Sequence, residues 1–444
     1  ATGAVAGSYE VGGLVGYNDC GTVFQCYATG AVTGTDRVGG LVGYNYYGTV
    51  FQCYAAGAVM GYEYAGGLVG VTYYGTVSEC YATGAVTGSY EVGGLVSYNY
   101  FGTVENSFWD TETSGQAGSI GGKGLTTAQM TTRSVYGNAG WGASGWVMTE
   151  GEYPRLAWEG TGADPLPAPE PVPLAGSGTE ADPYRVFTAQ EFAQLSWHKA
   201  LLDAHIELAN DLDCEGVLLY SIGDLGPFTG VFNGQSHVIR NAAIHQPGGS
   251  FVGLFGVLGG SGEIHNVGVE NVDIVGSLFV GGLLGYNDGG TVSQCYATGA
   301  VAGSYEVGGL VGYNYYGTVS ECYATGAVAG YQYVGGLLGA NGGTVSQCYA
   351  TGAVTGSYEV GGLVGVNGGG TVSQCYATGA VTGNEYVAGL VGYNWGTVSQ
   401  CYATGAVTGD WDVGGLLGAN GGTVSQCYAT GAVTGNEYVA GLVG

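Results

Sequence analysis

One carboxylate recurs in each copy of a short repeated motif. The series is Glu10, Asp36, Glu63, Glu91, Glu306, Glu359, Glu385, Asp412 and Glu437, with neutral Gln332 at one place in it. Carboxylates at a fixed interval could bind a hard cation between neighbouring copies, with loop carbonyls as further ligands. The run Glu306, Glu359, Glu385, Asp412 and Glu437 is the candidate Ca²⁺ loop. Two features count against it. Tyr-Glu changes to Glu-Tyr from copy to copy, which spoils a regular cage, and neither an EF-hand nor a G-G-x-G-x-D pattern occurs. Like charges at the interval of stacked strands repel by about 1 kcal/mol per pair in water. The favoured reading is a solvated acidic edge with no cofactor.

Eleven cysteines are present, an odd number. Nine keep one place in the repeat: Cys26, Cys53, Cys80, Cys295, Cys322, Cys348, Cys375, Cys401 and Cys427. A metal would need four converging ligands, and no C-x-x-C or neighbouring histidine supplies them. Disulfides along the stack would need Cβ atoms closer than parallel, in-register strands place them. The expectation is an inward column of small apolar side chains. Cys20 is extra, and a link to Cys26 or Cys53 stays open.

Asparagine keeps a second place, at Asn18, Asn45, Asn99, Asn287, Asn314, Asn341, Asn367, Asn394 and Asn420; Thr72 departs from it. Stacked asparagines can hydrogen-bond along the axis, so this column reads as structural. Tyr296 and its counterparts alternate with the cysteines and predict an exposed aromatic row. Such a row can stack on itself, or serve as a platform for sugar rings or neighbouring fibres.

Solenoids host enzymes, so catalysis needs weighing. A lyase would want a basic residue, and the regular copies hold one, Arg37. A glycosidase wants two carboxylates in different environments at one site, whereas these are copied along the chain. No H-E-x-x-H or G-x-S-x-G occurs. The densest polar group, Asn233, Gln235, His237, Arg240 and His245, reads as a cap surface. The expectation is no enzyme and no catalytic residue.

The elements that position these columns follow from the period. The leucine of G-G-L-V-G falls at Leu14, Leu41, Leu68 and Leu95, then at Leu283, Leu310, Leu337, Leu363, Leu390, Leu416 and Leu442, in steps of 26 or 27 residues. The variable residue lies in a turn, between Asn314 and Thr318, where a shift flips no side chain. No helical periodicity appears, and glycine breaks each copy every few residues. Cys295, Ala297, Gly299 and Val301 share one face; parity changes imply bends near Ser293-Gln294 and at Gly308-Gly309. Two or three short strands per copy, joined by bends, predict one coil of a right-handed parallel β-solenoid, with coils stacked about 4.8 Å apart.

Glycine supplies 93 of 444 residues and the net charge is −27. Nucleic acid and anionic membrane surfaces are poor partners for such a chain. No run of 18 apolar residues is present to insert in a membrane. Ala1 lies inside a copy, so the missing signal peptide says nothing.

Residues 1–105 read as regular coils and 106–160 as an end cap rich in aromatics (Phe108, Trp109, Trp141, Trp146, Tyr153, Trp158), with a short helix near Thr127–Ser134. Residues 161–175 form a proline-rich linker. Residues 176–280 hold a start cap and divergent coils. There, the capping box at Thr188-Ala-Gln-Glu191 opens a helix over Ala189–Leu202, and His205–Leu208 is the first strand. Regular coils fill 281–444. Tail to head, 176–444 and then 1–160 would make one solenoid short of about half a coil. This fits a window of a tandem array, or ends that stack between molecules.

The G-G-L-V-G-Y-N and G-T-V-S-Q-C-Y-A-T-G pattern resembles the GLUG-motif repeats of bacterial surface proteins and adhesins. The resemblance implies a secreted or cell-surface location and a role in attachment or scaffolding. The expected function is an extracellular structural protein, a subunit or segment of a filament of stacked coils. Its partner would be itself, head to tail. The alternative is an adhesin that binds glycans or proteins through a face of the rod.

Overall fold

The structure, a computed structural model, describes residues 1–141 and 145–444. It divides into two compact units. The first comprises Ala1–Val172 with two short segments, Trp197–Ala200 and Asp224–Gly226; the second comprises the rest. Each is a stack of parallel β-coils.

One coil of the second unit shows the plan. Its strands are Tyr305–Gly308, Val311–Asn314, Thr318–Ser320, Tyr323–Ala324 and Ala327–Ala329. Each pairs in parallel with its equivalent in the next coil, as in Val292↔Val319↔Val345↔Val372. Where Asn314 pairs with Asn341 and Thr318 with Thr344, the spacing changes from 27 to 26 residues inside the turn, and the register on both sides is kept.

Five strands per coil exceed the two or three expected. The extra corners are made by non-glycine residues with left-handed backbone: Gln294 (φ 54°), Glu321 (φ 54°) and Gln347 (φ 54°) at one, Glu306 (φ 46°) and Tyr333 (φ 55°) at another. Such a conformation costs about 1–2 kcal/mol for a residue with a Cβ. Pairing on both sides must hold it.

The interior is a set of columns. Leu310, Leu337, Leu363, Leu390 and Leu416 are fully buried, as are the valines at 292, 319, 345, 372 and 398. In the first unit the corresponding core is Leu41, Leu68 and Leu95 with Val50, Val77, Cys53 and Cys80, and Trp109 packs on it. Burying each Leu or Val side chain contributes about 1.5–3 kcal/mol.

The second glycine of G-G-L faces a neighbouring backbone. A Cβ on Gly336 would run into the Gly362 carbonyl and lie 2.9 Å from the Ala350 methyl.

The end cap and start region differ from expectation in three places. The helix near Thr127–Ser134 is two pieces, Thr127–Met130 and Arg133–Asn138. Thr131 and Thr132 part them, their hydroxyls donating back to the Thr127 and Ala128 carbonyls at 2.9 and 2.8 Å. The helix over Ala189–Leu202 stops at Gln194 and resumes as a 3₁₀ turn at Lys199–Leu201. Ser196 donates to the Ala193 carbonyl at 3.1 Å there, which satisfies a terminal acceptor. The capping box does form: Thr188 accepts from the Glu191 N–H, and the Glu191 carboxylate accepts from the Thr188 N–H at 3.0 Å. Finally, His205–Leu208 is not the first strand, because Tyr184–Val186 pairs with it in parallel.

Candidate functional site

The asparagines form a hydrogen-bonded ladder. Asn287 donates to Asn314, Asn314 to Asn341 and Asn367 to Asn394, each at 2.8 Å; Asn341 donates to Asn367 at 2.9 Å and Asn394 to Asn420 at 2.7 Å. Each amide also donates to a glycine carbonyl in its own turn, as Asn314 does to Gly317 at 3.0 Å. The ladder begins at Asn287, whose Oδ1 is buried without a donor, because Leu258 holds the place before it.

The cysteines form a second column. All eleven are free thiols. The Cys295 backbone N–H points at the Cys322 sulfur at 3.4 Å, and the contact repeats from Cys322 to Cys348, Cys375, Cys401 and Cys427. Each sulfur donates to a carbonyl two residues back; Cys348 does so to Ser346 at 3.1 Å. Hydrogen bonding to Cys348, together with burial, pushes the Cys375 thiol up to about 12. Cys20 lies exposed, 3.4 Å from Asp19.

The acidic loop occupies two adjacent columns. Along the left-handed one run Phe279, Glu306, Tyr333, Glu359, Tyr386, Asp412 and Tyr438. Along the extended one run Tyr305, Gln332, Tyr358, Glu385, Trp411 and Glu437. The swap of Tyr-Glu for Glu-Tyr therefore puts an aromatic residue between carboxylates in the left-handed column. Two coil steps separate like charges there, roughly halving their repulsion. One oxygen of Glu306 and one of Glu359 are buried without a donor. Burial raises both carboxyls, Glu306 to about 8. Among the described residues no three His, Cys, Asp or Glu side chains gather as a metal-binding group.

The tyrosine row has two fates. In the second unit Tyr296, Tyr323, Tyr349, Tyr376, Tyr402 and Tyr428 stack face to face, with centroids 4.7–5.1 Å apart and planes within 5°. They are half-exposed, and Tyr428 is exposed. In the first unit Tyr54 and Tyr81 are buried, contrary to the expected exposed row. The cap runs back along them: Trp158 stacks on Tyr27 at 5.7 Å, Trp146 lies 5.7 Å from Tyr81, and Tyr81 donates to the Pro154 carbonyl at 2.6 Å. The aromatic cap is thus a strap as well as a plug. In both units the ring faces are spent on one another.

The polar group at the start region closes on acids that the sequence reading passed over. Asp211 takes His237 and Arg240, both at 3.1 Å; Arg240 also bonds Glu270 at 3.0 Å, and His245 bonds Asp273 at 2.8 Å. The partners lie 26 to 30 residues apart, about one divergent coil, off the strict beat that marks the ladders. Asn233 accepts from the Gln235 N–H at 2.9 Å.

A different site lies in the first unit. Tyr17, Tyr44, Val71 and Tyr98 share one column. Val71 leaves a gap there, a cleft of about 170 Å³ lined by Arg37, Tyr44, Tyr64, Tyr73, Tyr98 and Tyr100. The Arg37 guanidinium lies 5.0 Å above the Tyr44 ring and donates to Glu10 at 2.7 Å. Tyr64 meets Tyr98 edge-on at 5.5 Å, and Tyr73 stacks on Tyr100 at 4.7 Å.

Stacked in-register coils with side-chain ladders define a parallel β-solenoid repeat protein. The GLUG motif matches nine segments: 7–33, 34–60, 61–87, 277–302, 303–329, 330–355, 356–382, 383–408 and 409–434. They cover more than half of the chain, which therefore belongs to the GLUG-motif family. It is 30% identical over 137 residues to Halomucin from Haloquadratum walsbyi, across 29% of this chain and 2% of that protein. It is 33% identical over 124 residues to a "Putative Gly-rich membrane protein" from Evansella cellulosilytica, across 26% of this chain and 14% of that one. The chain thus spans a small part of either relative's length. A crystallised "putative immunoglobulin A1 protease" from Bacteroides ovatus matches 60% of this chain and 86% of its own, at 24% identity and a TM-score of 0.44. Among the described residues no helix is long and apolar enough to cross a membrane.

Proposed function

We propose that this chain is a structural segment of an extracellular, cell-surface repeat protein, and that its work is mechanical rather than enzymatic. The observation that carries this reading is the unbroken parallel register from Leu278–Gly281 to Glu437–Ala440, coil on near-identical coil. Inward columns repeated from coil to coil suit load-bearing and length. The names of the relatives, a mucin and a membrane protein, agree with a place at the surface. Self-association through strand edges of the outermost coils is the partner reading, since such edges template further strands. Electron microscopy over a concentration series tests it. Long unbranched filaments support self-stacking; short rods at every concentration leave a spacer and refute the polymer.

A second reading is an adhesin that binds through a face of the rod. The break in the aromatic column at Val71 favours it, because it sets one coil apart from its neighbours.

A further inference from the structure

We propose that the tyrosine row from Tyr296 to Tyr428 is a site of oxidative cross-linking, where a one-electron oxidant joins neighbouring rings by a carbon–carbon bond and staples coil to coil. The inference rests on the mechanical reading and adds a covalent reinforcement to it.

The row supplies each ring with its partner in advance. Tyr296, Tyr323, Tyr349, Tyr376, Tyr402 and Tyr428 pair in parallel register. Their rings follow one another at 4.7–5.1 Å with planes within 5°. Two phenoxyl radicals couple readily once they meet, and in solution the meeting is the scarce event. Holding them side by side replaces that encounter with an intramolecular step. The torsion about Cβ–Cγ of a tyrosine is broad, so two neighbours can turn their ring edges toward each other while the backbone stays paired.

The chemistry balances with a peroxide and a haem peroxidase as the oxidant. Each phenol gives up one electron and one proton and becomes a phenoxyl radical. The two radicals form a bond between the ring carbons ortho to their oxygens. Each of those carbons then passes its hydrogen to the phenol oxygen as a proton, which restores both aromatic rings. The pair has lost two electrons and two protons, and the peroxide takes them up and leaves as two waters.

Access selects this row over its counterpart. Its rings are half-exposed, and Tyr428 is exposed. The Tyr296 hydroxyl donates to the Glu270 carboxylate at 2.8 Å, an acceptor for the proton that oxidation releases. In the first unit Tyr54 and Tyr81 stack as closely, at 5.0 Å, but both are buried, and the Tyr81 hydroxyl is held by the Pro154 carbonyl at 2.6 Å.

A link between adjacent coils closes a loop of one repeat and restricts the unfolded chain as a disulfide would. The cysteine column leaves that role open, since all eleven thiols are free.

The test oxidises the dilute full chain with hydrogen peroxide and a haem peroxidase, in a Cys20→Ser background so that the exposed thiol does not compete. Dityrosine is read by its fluorescence and by linked peptides two hydrogen atoms lighter than their sum. Combining Tyr323→Phe, Tyr376→Phe and Tyr428→Phe keeps a stacked ring in every coil but leaves no two phenols adjacent in the row. Dityrosine within the monomer band should fall at least about fivefold, with unchanged circular dichroism. Exposure alone would select other residues: Tyr9, Tyr316 and Tyr438 are 67–72% exposed. Changing those three to Phe should lower the yield less than about twofold. A larger loss in that second variant, coupling found only between molecules, or no dityrosine in the unsubstituted row would each overturn the proposal. None of these results touches the mechanical reading, which electron microscopy tests separately.

Discussion

The side-chain amide of Asn341 donates to the Asn367 oxygen one coil away at 2.9 Å and accepts the Asn314 amide at 2.8 Å. Both neighbours are buried. Asn341→Ala strands a donor on one side and an acceptor on the other, so it should cost about 2–4 kcal/mol. Asn420 is exposed, and Asn420→Ala should cost under about 1 kcal/mol. Urea denaturation of the two variants makes the comparison, and equal losses would deny the ladder its role.

The two glycines of G-G-L answer to different neighbours. Gly336 faces the Gly362 carbonyl, so Gly336→Ala should destabilise by about 2–3 kcal/mol. Gly335→Ala should be milder, although its Cβ also approaches backbone, because Ala388 fills the equivalent place fully buried. Thermal melts of both variants would read the difference.

Glu306 gives the solenoid a pH dependence. Its carboxyl ionises near 4.5 in the unfolded chain and near 8 when folded. Below about pH 4.5 both states are protonated and the fold carries no penalty from this group. Between 4.5 and 8 the unfolded chain loses the proton that the fold keeps, so stability falls as pH rises, and it levels off above 8. The melting temperature should drop between pH 5 and pH 8.5, and Glu306→Gln should flatten that drop. An identical slope in the variant would place the effect in the general negative charge instead.

Thiol reactivity should separate the cysteines. Cys20 is exposed, while Cys322, Cys348 and Cys375 are buried, their thiols raised well above the ordinary value. Reaction with a disulfide reagent at pH 8 should modify Cys20 within minutes. The buried column should react only on unfolding, since the thiolate is the nucleophile. Prompt modification of Cys348, read by peptide mass spectrometry, would contradict the packing.

The inward columns were legible because identity at 26 or 27 residues can mean only stacking when the element is a strand. Leu310 to Leu416, Cys295 to Cys401 and Asn287 to Asn394 lie buried in columns at that spacing, whereas Leu14 and Leu442 are exposed and Cys26 and Cys427 half-buried. The corners at Gln294 and Glu306 were not legible in full. Left-handed backbone usually announces itself with glycine or asparagine, and here it is held by pairing on both sides. The strap over Tyr54 and Tyr81 was hidden for another reason: Trp146 and Trp158 lie some hundred residues along the chain from Tyr54 and Tyr27, and no repeat spacing connects them. The cleft beside Val71 was not read from the sequence, where nothing but one valine among tyrosines marks it.

The turn between Asn314 and Thr318 absorbs a residue without disturbing the strands on either side. The regular coils of the second unit therefore offer their successors the same backbone register, while the side chains of the loop columns alternate. Loss or gain of two adjacent copies by unequal recombination would keep both the strand register and the alternation of acidic and aromatic residues in the left-handed column. Reach, in this architecture, becomes a quantity that inheritance can adjust two rungs at a time, with no new interface to invent.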